Sequence, residues 1–240
     1  MKLRKLILTS ILSALAIVLY EFLDIKIPPT STVLTISLGI IPIYFIAYYC
    51  GPFYSTIAAV IVDLLGFFLF GSSSNPFMIG FTINALLSGF IFGVFLKYKN
   101  VFGGKLGKML IVIFELLVFF IAIPIFIVHM YKNGVPEKYS LESVIYIVSI
   151  ASIILNASII LYALFVKNDE DSTLIILSYV VYQIICSLIL TPLWIYTYYK
   201  VDYMVQWITR LVSVPILTLI YAILTRVILL PLKSRYKIIE

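Results

Sequence analysis

The chain has 240 residues, of which 63% are hydrophobic and only 12% charged, and its mean hydropathy is +1.15. Water-soluble globular chains run about 45–50% apolar and about 25% charged, so this composition excludes a soluble protein and puts the bulk of the chain in lipid. The formal charge of +6 comes with no basic patch interleaved with aromatics on a soluble face, which excludes nucleic acid as the partner.

The first apolar run, 6–23, is as long as a full span and no small-residue cleavage site follows it, so it predicts a transmembrane helix and not a secretory signal. Within it, Thr9, Ser10, Ser13 and Ala14 supply small-x-x-x-small spacings, which let helix backbones approach closely in lipid. A hydropathy window of about 19 residues predicts further spans at 35–49, 53–71, 77–96, 109–130, 141–166, 173–196 and 207–230. Each gap holds a breaker or charge cluster: IKIPPTST, CGP, GSSSNP, KYKNVFGGKLGK, YKNGVPEK, KNDEDS and YYKVDYMVQ. The longest connection is about a dozen residues, which leaves no room for a soluble domain. Cys50 and Cys186 both fall in apolar stretches and make no disulfide framework.

Lysine and arginine collect before the first span (Lys2, Arg4, Lys5), after the fourth (Lys97, Lys99, Lys105, Lys108) and after the eighth (Lys233, Arg235, Lys237). The positive-inside rule then expects both termini in the cytoplasm. The acidic stretch from Asp169 to Asp171 falls on that side too, and acidic residues count little in the rule. The run from Gly103 to Lys108 lacks the G-x-x-x-x-G-K-[ST] spacing of a phosphate loop and reads as a basic turn.

Asp63 lies near the middle of the third span, where a charged carboxylate costs at least roughly 2.5–3.5 kcal/mol and so must find a partner or be protonated. It is expected to face the protein interior, bridging helices or touching a ligand. Glu115 gets no role. His129 has no Cys, His or carboxylate at ligand spacing beside it and reads as interfacial, so no metal site is expected. The last outer loop is flanked by Trp194, Tyr196, Tyr198, Tyr199, Tyr203, Trp207 and Arg210, a set that an interfacial aromatic belt largely explains. One histidine and scattered acids give no catalytic constellation, so an enzyme is not expected.

The residues from 35 to 93 carry a more specific signal. Ile36, Ser37, Gly39, Pro42 and Ile43 are followed by Gly51-Pro52, then by Asp63 and Gly66, then by Gly80, Phe81, Thr82, Ala85, Leu86, Leu87, Ser88, Gly89 and Gly93. This order resembles the S-components of energy-coupling factor (ECF) transporters, most closely the folate family, with its R-I-S-F-G-F-x-P-I stretch, G-P turn, D-x-x-G helix and G-F-T-x-x-A-L-L-S-G-x-x-x-G helix. A second block agrees: Thr191-Pro192-Leu193-Trp194-Ile195 is similar to N-T-L-W-L, and Arg210-Leu211 with Val214-Pro215-Ile216 is similar to the family's R-L and I-P-I. Thr35 stands where the family has arginine and Thr191 where it has asparagine.

The resemblance implies an all-α polytopic membrane bundle, with a six-helix core at 6–97 and 172–231 and an inserted helix pair at 107–166. It implies a subunit without a nucleotide site or cofactor of its own. Such a subunit captures a water-soluble vitamin outside and hands it through a transmembrane coupling protein driven by two cytoplasmic ATPases. Folate or a related pterin leads, with riboflavin or a thiamin precursor as alternatives; a self-sufficient secondary transporter, whose usual mark is internal repetition, is the other class. Trp194 and Arg210 sit at motif positions, and an indole face with a guanidinium suits a planar vitamin with an anionic tail. Thr82 and Asn84 could read ring edges, or serve as interhelical glue. These four are the expected ligand-binding residues. Ser10 and Ala14 are expected to dock on the coupling protein, with packing inside the bundle as their other reading.

Overall fold

The computed structural model describes residues 2–23, 25–27, 34–70, 77–122, 124, 127–128, 131, 141–165, 169–201 and 203–236. Helix α1 (Lys2–Phe22) leads into a two-stranded antiparallel ribbon, β1 (Ile25–Ile27) with β2 (Leu34–Ile36). Then come α2 (Ile40–Cys50), α3 (Pro52–Phe70), α4 (Ile79–Lys97), a short α5 (Lys99–Phe102), and α6 (Lys105–Leu117), which widens into a π-helical stretch, Val118–Ala122. The remainder is α7 (Leu141–Phe165), α8 (Glu170–Tyr182), a second π-helical stretch (Gln183–Leu190), α9 (Thr191–Tyr199) and α10 (Tyr203–Tyr236). Among the described residues, each predicted span falls mainly on helix. Five helical segments are long and apolar enough to cross a membrane, with Ile40–Cys50 and Ile150–Phe165 shorter apolar helices beside them.

One boundary differs from the sequence expectation. Thr35 lies in β2, opposite Lys26, and the second helix starts only at Ile40. The β-branched Thr35 and Ile36 suit a strand, and β1 satisfies their backbone groups. At 11 residues α2 rises about 16 Å, half of the roughly 30 Å hydrocarbon thickness. Its hydrophobicity serves burial instead of lipid contact: every residue from Ile40 to Ala47 is buried, as is Cys50. The chain reverses at Gly51, whose φ of 95° favours glycine, and Pro52 opens α3 at the position where its missing N–H costs nothing.

The glycines of α4 are interface residues. A Cβ on Gly89 would collide with the Ser55 carbonyl and one on Gly93 with Pro52, so α3 and α4 pack backbone to backbone. Ser55 Oγ closes the contact by donating to the Gly89 carbonyl at 2.7 Å. At the centre Tyr44 stacks on Tyr179 (5.6 Å, 18°), and Phe92 meets Tyr179 edge-on at 5.1 Å. Helix α8 is buried from Ser172 to Val181 and forms the axis of the bundle. Helices α6 and α7 lean on its flank and on α10: Gly107 abuts Thr173, Ser152 Oγ donates to the Leu211 carbonyl (3.4 Å), and Arg226 Nη1 donates to Tyr162 Oη (3.4 Å). Glu115, on α6, is buried; His129 lies outside the described residues.

Helix α1 buries Ser13 and Ala16, half-buries Leu8, Leu12 and Ile17 against the core, and exposes a face that includes Leu3, Ile7, Ser10, Ile11, Ala14, Leu15 and Val18.

Candidate ligand-binding cavity

A cavity of about 950 Å³ lies between the helices at the end of the bundle opposite the N-terminus. Its walls come from the C-terminal end of α1 (Tyr20, Glu21), Ser37 and the start of α2, the second half of α3 (Val62, Asp63, Gly66), the first half of α4 (Phe81, Asn84, Ser88), the second π-helical stretch (Gln183, Cys186, Ser187), Tyr199, and α10 from Arg210 to Tyr221. Alternating helix directions make these the same end of every element. Aromatic rings floor it: Tyr182 contacts Phe92 at 5.5 Å, and Tyr221 contacts Tyr179 at 5.7 Å. Tyr221 Oη also accepts a hydrogen bond from the Ser37 N–H (2.9 Å), which ties the segment after the ribbon to α10.

Of the expected ligand residues, Asn84 and Arg210 line the cavity, while Thr82 and Trp194 stand behind its wall among the described residues. Thr82 Oγ1 donates to Asp63 Oδ2 at 2.6 Å, a short bond of the kind a carboxylate accepts. This bond joins α3 to α4, so Asp63 bridges helices and lines the cavity at once. Trp194 fills the space beside Gly80, where a Cβ would strike the indole. Its Nε1–H donates to Asn84 Oδ1 (3.1 Å), while Asn84 Nδ2 donates to Thr191 Oγ1 (3.0 Å) and Thr191 Oγ1 in turn donates to the Cys186 carbonyl (2.6 Å).

Arg210 donates from Nη1 to Ser187 Oγ at 3.0 Å, and its Nε is buried without a hydrogen-bond partner. A guanidinium so placed has donor capacity left for an anionic ligand group. The π-helical stretch explains why sequence reasoning missed part of the wall. A π turn spreads its side chains differently from an α turn, and it brings Gln183, Cys186 and Ser187 to the cavity together. Its Leu188 carbonyl accepts a bond from Trp207 Nε1 (2.7 Å), and its Cys186 carbonyl accepts both the N–H and the Oγ1–H of Thr191. The signal available in the sequence was the polar pair Gln183 and Ser187 within an apolar run. No group of three or more His, Cys, Asp or Glu residues that could hold a metal occurs among the described residues.

Four chains of solved structures match this one. Among them is the crystal structure of FolT bound with folic acid, with a TM-score of 0.55 and 22% identity over 92% of this chain and 89% of that one. At that identity the likeness shows a shared fold. Comparison with curated proteins returns no match. The family model "ECF transporter, substrate-specific component" matches residues 4–157. Those residues hold the α3–α4 interface and the acidic wall of the cavity, and the family is one of transporter subunits and not of enzymes. A membrane bundle of this fold, with a polar cavity walled at one end by α1–α4 and matched by that model over most of its length, belongs to the substrate-specific components of ECF transporters.

Proposed function

We propose that this chain captures a water-soluble vitamin, folate or a related pterin, in the cavity and delivers it through an ECF coupling protein driven by two ATPases. The observation that carries this reading is Arg210: a guanidinium in a cavity of about 950 Å³, with Nε unpartnered, beside aromatic rings that match a planar ligand. The folic-acid-bound state of the FolT structure with the same fold supports the ligand class.

Orientation follows from the lysine and arginine distribution, which puts both termini in the cytoplasm and hence the cavity on the outer side. All cavity residues fall within 6–97 and 172–231, which supports a ligand-capturing core at those residues. Helices α6 and α7, of the pair at 107–166, contribute no described residue to the cavity walls. Ser10 and Ala14, on the exposed face of α1, are the docking contacts for the coupling protein. Asp63 holds α3 to α4 through Thr82 and meets the ligand.

Native mass spectrometry of the protein in mild detergent, challenged with a panel of water-soluble vitamins, tests this. One folate or pterin per chain is the expected result. Retention of another vitamin alone would reassign the ligand, and retention of none would remove the reading.

A further inference from the structure

Two residues behind the cavity wall decide what the wall offers. An indole N–H can only donate, so the atom of Asn84 that meets Trp194 Nε1 at 3.1 Å is the carbonyl oxygen, and the amide has one orientation. Its Nδ2 is engaged by Thr191 Oγ1, which must accept there because its own hydrogen goes to the Cys186 carbonyl. Its second N–H goes to the Cys186 carbonyl (3.5 Å), so what Asn84 has left for the cavity is the second lone pair of Oδ1. Asp63 is constrained likewise: Thr82 donates to Oδ2, which leaves Oδ1 for the cavity, and ligand donors facing it favour the ionised, accepting carboxylate. The α3–α4 wall therefore presents acceptors, while Arg210 on α10 presents donors.

We infer that Thr82 and Trp194 are positioning residues that fix Asp63 and Asn84 as hydrogen-bond acceptors facing the cavity, so that the site selects a heteroaromatic ring whose facing edge carries amino and ring N–H donors. This rests on the vitamin-capturing reading and narrows it. A 2-amino-4-oxo ring offers such an edge. The corresponding 2,4-dioxo ring places a carbonyl where the amino group was and sets acceptor against acceptor. A site built around a hydrogen bond rejects an analogue that cannot make it far more strongly than an apolar pocket rejects a change of size.

The test compares 6-carboxypterin with 6-carboxylumazine on the full-length protein in detergent. Both carry the same carboxylate for Arg210 and differ in the 2-amino against 2-oxo group. The wild type is expected to bind the pterin about ten- to a hundredfold more tightly. Trp194→Phe keeps an aromatic ring beside Gly80 and removes the N–H, freeing the Asn84 amide to turn its NH2 toward the cavity. The preference should then collapse, with the lumazine gaining affinity in absolute terms, which a merely damaged fold does not produce. Adding Asn84→Asp to Trp194→Phe makes both side-chain oxygens acceptors and should restore the preference. Thr82→Val should lower it and Thr82→Ser should keep it. Equal binding of the two rings by the wild type overturns the inference, as does a Trp194→Phe variant that weakens both equally. Failure of the wild type to bind these rings and folate alike would instead remove the vitamin reading itself, a result distinct from equal binding.

Discussion

Replacing Arg210 with Met separates a ligand-binding guanidinium from a structural one. Among the described residues Arg210 makes a single hydrogen bond, from Nη1 to Ser187 Oγ, and keeps Nε buried without a partner. Met removes that bond, worth about 1 kcal/mol, and also removes the desolvation cost of a partly satisfied cation. The two effects offset one another. The free variant should therefore unfold within about 2–4 °C of the wild type, the shift expected for about 1 kcal/mol in a chain of this size. Ligand affinity should behave otherwise. Charge-assisted hydrogen bonds to an anionic group contribute about 1.5–3 kcal/mol, a loss of roughly ten- to 150-fold in Kd. Tryptophan fluorescence titration with folate, beside thermal unfolding of the free protein, reads both quantities. Unchanged affinity would refute the assignment, and so would a free protein destabilised by more than about 3 kcal/mol, which is the signature of a broken structural pair.

Gly89→Leu should destabilise the bundle by at least about 1–3 kcal/mol, because the new side chain meets the Ser55 backbone, which cannot move aside; a monodisperse variant with an unchanged melting temperature would contradict the α3–α4 packing. Ser10→Trp and Ala14→Trp, both on the exposed face of α1, should leave vitamin binding intact and lower uptake by the full complex at least about tenfold, equivalent to ~1.4 kcal/mol of docking energy. Loss of binding would place those residues in the protein's own packing, and no effect on either quantity would send the docking surface to another helix.

Hydropathy located the long helices among the described residues because lipid imposes one requirement on all of them, but it could not tell lipid-facing from buried apolar surface. That is why 35–49 read as a span: Ile40, Ile41, Pro42 and Ile43 are apolar enough for lipid and are buried inside the protein. Asp63 was legible from its energetic cost, and of the two readings open for Thr82, ring-edge contact and interhelical bonding, its bond to Asp63 shows the second. Arg210 was legible from its motif position and Asn84 as a hydrogen-bonding side chain in the outer half of its span, and both line the cavity. Trp194 carried the same kind of signal and lies behind the wall. Its facing depends on the π-helical stretch at Gln183–Leu190, and the wider turn that rotates the following helix leaves no mark in a pattern of apolar residues. Tyr182, Tyr221 and Ser37 reach the cavity only through tertiary packing.

The central claim is that this chain is the capturing subunit of an importer powered by other subunits. Proteoliposomes holding the chain with a coupling protein and two ATPases, supplied with ATP and labelled folate, test it most directly. Accumulation is expected only when every subunit and ATP are present, with none from the chain alone. ATP-dependent or gradient-driven accumulation by the chain without partners would contradict the account.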